Sequence, residues 1–284
     1  MKVAFATCSA LPGGADDDRD AARLLGADFR AWDDDGVDWD AYDRVVLRST
    51  WDYTSRLDAF LAWCRTVGPR RLRNPPALVA FNADKRYLAA LSAPSVPTTF
   101  VASGDDLPAL DGEVVVKPSV SAGARDTGRF GPAAHDAALA LVERIRASGR
   151  AALVQPYMVQ VDECGETALV FAGGELSHVL HKRPVLRGEG VAPATGGPLG
   201  VAEAMLEHDI VVAGTADAVQ RAFASRVLAE VAARFGQPLY ARVDLIADRD
   251  GAPLLLELEA IEPALYLASA PGASERFAAA VRAS

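Results

Sequence analysis

Residues 240–262 read YARVDLIADRDGAPLLLELEAIE, a stretch that predicts a β-hairpin with one acidic face. Asp250 and Gly251 form the kind of pair that is favoured in a two-residue turn between antiparallel strands. A turn at this pair gives the following cross-strand partners: Asp244 with Glu257, and Arg242 with Glu259. Because side chains alternate along a strand, these four residues share one face. The other face is expected to pack through Val243, Leu245, Leu254, Leu256 and Leu258.

The acidic face of this hairpin needs a counter-charge. Carboxylates directly opposite each other in a ladder repel and destabilise the strands. A hard divalent cation with oxygen ligands commonly supplies the compensating charge, so the stretch indicates a Mg²⁺ platform. A solvated edge hairpin, whose carboxylates pair with surface arginines, is the alternative that this stretch alone leaves open.

The composition bounds the class of protein. The 284 residues are half apolar and carry a net charge of −9, which disfavours nucleic acid and anionic membranes as partners. No charge-poor apolar run reaches about 18 residues, so no membrane-spanning segment is expected. The first apolar run is too short for a signal peptide, which favours a cytoplasmic protein. The length fits two or three lobes, and the three cysteines lack metal-type spacing.

Residues 1–78 alternate between strand-length apolar runs and helical patterns, which predicts a small doubly wound α/β lobe. Ligands of such lobes bind beyond the carboxyl ends of the strands, and no G-x-G-x-x-G indicates a dinucleotide. After the third predicted strand comes a run suited to a small zwitterion. Its candidate substrate contacts are Arg48, Ser49, Thr50, Asp52 and Tyr53. The alternative is a purely structural run, with a hydroxyl capping a helix, the aromatic rings packing and Arg48 paired to Asp52.

Lysine is rare, with only four among the 29 basic residues. Lys85 opens a predicted helix, whereas Lys117 and Lys182 end predicted strands. Residues 118–127, PSVSAGARDT, follow Lys117. Small residues let backbone N–H groups approach phosphate oxygens closely while a lysine neutralises charge. The lysines are therefore candidate phosphate ligands, although a flexible surface loop is the simpler interpretation of residues 118–127 taken alone.

A strand-exit segment follows the predicted strand 151–154, and it consists of Gln155, Pro156, Tyr157 and Met158. Backbone groups of such a segment can hydrogen-bond an adenine edge while an aromatic ring covers the base. Glu166 then begins a pair of strands that ends at Lys182 and Arg183, which alternation places on opposite faces. Residues 184–200 form a loop long enough to suspect a lid.

Taken in chain order, these segments resemble the ATP-grasp ligases, especially the branch of glutathione synthetase and ribosomal-protein glutamate ligase, and D-alanine–D-alanine ligase. The resemblance covers roughly residues 79–284. It implies an α/β ATP-grasp fold in which a small N-terminal lobe, residues 1–78, precedes two subdomains. These subdomains, residues 79–155 and 156–284, would clamp ATP between antiparallel sheets.

The resemblance also implies roles for single residues. Lys85 and Lys117 would contact the ATP phosphates, and residues 155–158 would hold the adenine. Glu166 would bind the ribose hydroxyls, with Lys182 or Arg183 over the nucleotide. The implied Mg²⁺ ligands, for as many as two ions that Mn²⁺ can replace, are Asp244, Glu257 and Glu259. The implied catalytic residues are Arg242, Lys117 and Lys182. Glu259 stands where the family usually has Asn, which leaves the number of metal ions open.

Three stretches are similar to the O-ureido-serine cyclo-ligases of D-cycloserine biosynthesis, namely RSTWDY at 48–53, SAGARDT at 121–127 and ELE at 257–259. This similarity implies that ATP phosphorylates an amino-acid carboxylate and that a nitrogen of the same molecule closes a ring. It also makes Arg125 and Asp126 candidate substrate contacts. An intermolecular carboxylate–amine ligase and a non-catalytic nucleotide-binding module stay open as alternatives, as do the substrate stereochemistry and a homodimeric assembly.

Overall fold

The N-terminal lobe is built on a four-stranded parallel sheet. The computed structural model describes residues 1–197, 199–207 and 209–284 of the chain. The strands of the lobe are β1 (Val3–Thr7), β2 (Asp28–Ala31), β3 (Arg44–Ser49) and β4 (Leu72–Arg73), and its helices are α1 (Arg19–Leu25) and α2 (Leu57–Val67). The strand order is β2-β1-β3-β4, and every pairing is parallel. The predicted α/β lobe is confirmed.

Alternate residues of β1 face opposite helices. Ala4 and Ala6 belong to the apolar cluster that contains residues of α2, whereas Val3 and Phe5 belong to the cluster that contains residues of α1. Both faces of the sheet are therefore covered, which is why β1 is apolar throughout rather than alternating.

Two antiparallel sheets follow. The remaining elements are α3 (Pro76–Asn82), β5 (Thr99–Val101), β6 (Val114–Pro118), β7 (Gly128–Phe130), α4 (His135–Ala147), β8 (Ala152–Pro156), α5 (Gln160–Cys164), β9 (Glu166–Ala172), β10 (Glu175–Lys182), β11 (Gly190–Val191), β12 (Val211–Ala213), α6 (Ala218–Phe235), β13 (Tyr240–Ala247), β14 (Pro253–Glu259) and α7 (Ala273–Ala283). The central sheet has the order β11-β7-β6-β8-β5, and the C-terminal sheet has the order β12-β10-β9-β13-β14. The predicted pair of antiparallel sheets is confirmed.

The hairpin β13–β14 has the predicted register at its acidic end, where Arg242 pairs with Glu259 and Asp244 pairs with Glu257. The expected two-residue turn is wrong. Beyond Asp244 the register shifts by one residue, so that Leu245 lies opposite Leu255, and the Asp248 amide donates to the Ala252 carbonyl. A bulge and a longer loop replace the tight turn.

The bulge changes which leucines of β14 face the core. Leu255 is fully buried in the core cluster that also holds Val243 and Leu245. Leu256, expected on the packed face, lines a cavity instead, and Leu254 is only partly buried. A one-residue shift reverses the facing of a strand, so the bulge supplies an apolar wall to the cavity without disturbing the acidic pairs.

Buried polar contacts join the N-terminal lobe to the hairpin. The amide of Asn74 donates to the carbonyls of Tyr240 and Ala260 at 2.9 and 2.7 Å and accepts from the Leu239 amide at 2.7 Å. The Tyr240 hydroxyl lies 2.7 Å from the Leu47 carbonyl of β3. Because buried polar groups are costly when unpaired, these contacts fix β13 and β14 against the first lobe.

The proposed division of the chain at residues 78 and 155 stays a prediction; the first boundary falls within α3 and the second within β8. Among the helices of the described residues, none has both the length and the apolar character needed to cross a membrane.

Candidate active site

A cavity of about 680 Å³ lies between the central and C-terminal sheets and reaches the N-terminal lobe. Strand ends supply its polar wall: Lys117 at the end of β6, Lys182 at the end of β10, and the acidic face of β13 and β14. Leu11, Trp51 and Tyr53 reach it from the first lobe. The topology thus brings together groups that are as far apart as residues 11 and 266 in the chain.

All three candidate lysines line this cavity. The Lys85 ammonium donates to the Ser121 carbonyl at 2.8 Å and lies 3.2 Å from a Glu257 carboxylate oxygen. The Lys117 ammonium makes no hydrogen bond or salt bridge to the described part of the chain. Burial lowers the pKa of the Lys117 ammonium, and the attraction of Glu257 opposes that effect. Lys117 is therefore a desolvated positive group that is not matched by a close carboxylate.

The acidic face of the hairpin is held by cations of the chain. Arg242 makes a bidentate pair with Asp244 at 2.8 and 2.9 Å and contacts Glu259 at 2.5 Å. Lys182 approaches Asp244 at 2.8 Å. Burial of the Asp244 carboxyl would raise its pKa. The positive charges of Arg242 and Lys182 outweigh this effect and hold the pKa well below its ordinary value.

The three acids differ in how much of their hydrogen-bonding capacity is used. Hydrogen bonds from Arg242 and Lys182 engage both oxygens of Asp244. Glu259 accepts one, from Arg242, and Glu257 accepts none within the described residues. Burial, reinforced by repulsion from Glu257 and Asp244, raises the pKa of Glu259 to about 7. Among the described residues, no three His, Cys, Asp or Glu side chains are already grouped as a metal site.

The predicted adenine segment borders the same cavity, since residues 155–158 all line it. The Gln155 side chain points to Thr98, to which it donates at 2.8 Å. The Tyr157 ring lies 3.5 Å beneath the guanidinium of Arg129, and its hydroxyl donates to Asp162 at 2.5 Å. Tyr157 is thus clamped in place, as a flat wall for a base requires.

Glu166 and Lys182 form an ion pair at 2.6 Å on the cavity wall. Burial would lower the pKa of Lys182, but Asp244 and Glu166 outweigh it and raise that pKa well above the ordinary value. Arg183 is exposed and does not line the cavity. Lys182, and not Arg183, is therefore the residue that faces the cavity.

The run 48–53, whose first two residues belong to β3, is mostly structural. Arg48 is buried, where it donates to Asp18 at 2.8 Å and to the Pro263 carbonyl at 2.9 Å. The alternative pairing of Arg48 with Asp52 is wrong. Asp52 instead accepts from Trp32 at 2.9 Å and pairs with Arg56. The structure keeps the following candidates away from the cavity: Arg48, Ser49, Thr50 and Asp52. Tyr53 does line it.

Residues 119–127 curl beneath the 184–200 loop, of which Pro198 lies outside the described residues. The Gly123 carbonyl accepts from the Ala202 amide at 2.8 Å, and a Cβ on Gly123 would lie 2.6 Å from Val201. Arg125 donates to the Gly200 carbonyl at 3.1 Å, and Asp126 pairs with Arg144 at 3.4 Å. Neither Arg125 nor Asp126 lines the cavity, whereas their neighbours Gly123 and Ala124 do.

Two ionisable residues of the cavity were not functional candidates in the sequence analysis: Glu262 and Tyr266. Glu262 continues the acidic series of Glu257 and Glu259, and this spacing was the available signal. It lies beyond the end of β14, where strand alternation no longer predicts the direction of a side chain. Tyr266 has φ 50° and ψ 47°, a conformation that is uncommon for a residue other than glycine.

Comparisons with known proteins agree with this arrangement. Residues 3–74 match the family described as "D-cycloserine synthetase DcsG, N-terminal domain". The chain is 36% identical to the cycloserine biosynthesis protein DcsG of Streptomyces lavendulae, over 92% of this chain and 90% of that protein. A crystal structure of D-cycloserine synthetase DcsG superposes with a TM-score of 0.82 at 34% identity, covering 99% of this chain and 98% of the other.

More distant structures share the fold. D-alanine–D-alanine ligase from Bacillus anthracis complexed with ATP matches with a TM-score of 0.61 at 11% identity, over 99% of this chain and 95% of that one. An ATP-grasp RimK domain protein from Sphaerobacter thermophilus matches with a TM-score of 0.59 at 17% identity, over 99% of this chain and 100% of that one. The fold is therefore ATP-grasp, and the identity to DcsG over nearly the full length of both chains shows that this protein belongs to the D-cycloserine synthetase family of ATP-grasp ligases.

Proposed function

We propose that this enzyme uses ATP to activate the carboxylate of O-ureido-D-serine and closes the ring of D-cycloserine. The observation that carries the proposal is the meeting of three lysines, Arg242 and the acidic face of the hairpin in one cavity bordered by the adenine segment. The similarity to DcsG over the whole chain supports the choice of substrate.

The cations of the cavity would bind the triphosphate. Lys117 is the strongest candidate because it has no ion-pair partner in the described residues and is desolvated, so a phosphate oxygen would recover its lost solvation. Lys85 and Lys182 are already held by carboxylates, which positions them without further ordering. Residues 155–158 would hold the adenine edge, and Glu166 would accept from the ribose hydroxyls.

The acids fit Mg²⁺ by their donor chemistry. Glu257 and Glu259 present carboxylate oxygens to the cavity that the chain's hydrogen bonds leave available, and such oxygens are the ligands that Mg²⁺ prefers. Burial, together with repulsion from Glu257 and Asp244, raises the pKa of Glu259, and a bound cation would relieve both effects. Asp244, Glu257 and Glu259 would therefore be the ligands for one or two ions, with Mn²⁺ as a substitute. Bound Mg²⁺ supplies neutralisation of phosphate charge.

Arg242 lies where the acyl group would react. Its guanidinium is fixed by Asp244 and Glu259 and by donation to the Ala264 carbonyl at 2.9 Å. A fixed donor can stabilise the oxyanion of the tetrahedral intermediate without reorganisation. In that step the nitrogen bonded to the side-chain oxygen attacks the acyl phosphate, a C–N bond forms, and phosphate leaves. Hydrolysis of the carbamoyl group then consumes one water and releases carbon dioxide and ammonia.

The need for ATP supports a cytoplasmic location, with ATP and an amino acid as the partners. Assembly is left open between a monomer and a homodimer, which sedimentation velocity decides.

The test is ADP release with O-ureido-D-serine as the single substrate, followed with the appearance of ammonia and cycloserine. All three products are expected in equal amounts. ADP release that requires two different amino acids would instead support an intermolecular ligase. ATP binding without ADP release from any amino acid would support a nucleotide-binding module and refute the proposed function.

A further inference from the structure

Next to the acidic face of the hairpin, the cavity has an aromatic wall that contains one more carboxylate, Glu262. Tyr53 lines the same cavity, and its burial, reinforced by the negative charge of Glu262, raises the pKa of its hydroxyl well above the ordinary value. Trp51 donates its ring N–H to the backbone carbonyl of Glu262 at 3.0 Å. Tyr266 lines the same cavity. The contact with Trp51 holds Glu262 at the junction of the N-terminal lobe and the C-terminal sheet, in a cavity that the three aromatic side chains also line.

Glu262 lacks the cation that its neighbours possess. Asp244, Glu257 and Glu259 each lie within salt-bridge distance of a lysine or arginine. No lysine or arginine nitrogen of the described residues lies within 4.0 Å of the Glu262 carboxylate. Burial raises the pKa of Glu262 to about 8, and repulsion from Glu259 acts in the same direction, whereas the more distant Lys85 opposes it. Even a half-buried carboxylate is costly to desolvate unless a positive group joins it.

We propose that Glu262, together with the rings of Trp51, Tyr53 and Tyr266, binds the α-ammonium group of the amino-acid substrate. The proposal rests on the proposed function and names the group that recognises its substrate. A compact primary ammonium donates to a carboxylate and is attracted by aromatic faces. A single carbon separates the ammonium nitrogen from the carboxyl carbon of an α-amino acid. The substrate carboxylate therefore stays in the same part of the cavity as Glu262, whose neighbour Glu259 is close enough to act on it by repulsion.

The position of Glu262 favours an ammonium over a second metal ion as its ligand. Aromatic rings line the cavity with Glu262, and such rings are poor ligands for a hard cation. The same rings favour an organic cation.

The test compares two ligands by calorimetry, in the presence of Mg²⁺ and a non-hydrolysable ATP analogue. One ligand is O-ureido-D-serine and the other is its des-amino analogue, 3-(ureidooxy)propanoate. The wild type should bind the amino compound about 10- to 100-fold more tightly, the range expected of a charged hydrogen bond. Glu262→Gln should reduce this preference to less than about threefold. Glu175→Gln, which changes an exposed carboxylate at the start of β10, should keep the full preference.

A ratio of two affinities separates recognition from structural damage, because a partly misfolded variant loses affinity for both ligands. Tyr53→Phe keeps the ring and removes the hydroxyl, so it should shift the preference less than Glu262→Gln and serves if the latter does not fold. A wild type without preference, or a preference unchanged in both variants, overturns the proposal. ADP release is measured separately. If the wild type shows the Glu262-dependent preference but releases no ADP, the ammonium site is supported and the proposed function is refuted.

Discussion

Replacing Arg242 by alanine should damage both stability and catalysis, and the structure separates the two magnitudes. Arg242 and Asp244 form a bidentate pair in which Asp244 is 1% exposed. Breaking a buried pair costs about 3–5 kcal/mol. Lys182 still lies 2.8 Å from Asp244, so we expect the lower value, about 3 kcal/mol. For a chain of this size that loss lowers Tm by roughly 6 °C. Loss of a donor to the oxyanion should lower kcat by about 10²–10³-fold.

The assay is ADP release under ATP saturation, read beside thermal unfolding and ATP affinity of the same samples. Arg48→Ala is the matched control, because Arg48 forms a comparably buried pair with Asp18 outside the cavity. It should lose similar stability and keep kcat within about threefold at a temperature where it is folded. If Arg242→Ala unfolds earlier but retains kcat within tenfold, or if Arg48→Ala loses kcat equally, the catalytic role of Arg242 is refuted.

Three further changes test other parts of the structure. Lys117→Met removes a desolvated charge, so Tm should stay or rise while the KM for ATP increases at least tenfold; unchanged KM would contradict phosphate binding by Lys117. Asn74→Ala leaves three buried backbone groups without their partner. It should lower the free energy of unfolding, measured in urea, by about 3 kcal/mol or more. A loss under about 1 kcal/mol would contradict the role of Asn74 in joining the lobes. Burial lowers the pKa of His178 below its ordinary 6.5, so the unfolded chain takes up the proton first as the pH falls. The stability that the neutral side chain provides above pH 6.5 is therefore lost as the pH falls through the lower folded pKa. The Tm advantage of the wild type over His178→Gln should shrink between pH 7.5 and 5.5, and a constant advantage would refute this.

Local sequence patterns predicted the existence of helices and strands better than they predicted where each one begins, ends and stops being buried. Helical spacing along α6 places Val219, Phe223, Val227 and Val231 on one stripe; the last three are buried, but Val219 is 61% exposed. The helix begins at Ala218 behind a capping box formed by Asp217 and Gln220, so Val219 lies in its first turn and presents its side chain to solvent. Helical spacing predicts which residues share a face; it does not predict how far the neighbouring sheet extends beneath the helix.

Residues 48–53 show a second limit: sequence patterns do not distinguish a ligand-binding side chain from a structural one. A cation at the end of a strand fits either a ligand or a structural pair, and Arg48 was a candidate because its local context resembles a binding run. Its partner Asp18 is thirty positions away, and its other acceptor, the Pro263 carbonyl, lies in the last part of the chain. Such a pairing depends on how the lobes meet, which no spacing within residues 48–53 encodes.

The hairpin shows that charge patterns in a sequence predict where a counter-charge is required more reliably than they predict which side chain or ion supplies it. Facing carboxylates were expected to require a counter-charge, and the structure provides Lys85, Lys182 and Arg242 for this purpose. Glu257 and Glu259 nevertheless keep oxygens directed at the cavity, and the pKa of Glu259 remains raised. The protein cations therefore neutralise Asp244 fully and its neighbours only in part. A site balanced in this way favours the joint arrival of a polyanion and its metal over the arrival of either alone, because Lys117 lacks a close anion and the two glutamates are only partly neutralised. ATP affinity should consequently fall more steeply with removal of Mg²⁺ in the wild type than in a Glu257→Gln, Glu259→Gln double variant, and equal dependence in both proteins would refute this coupling.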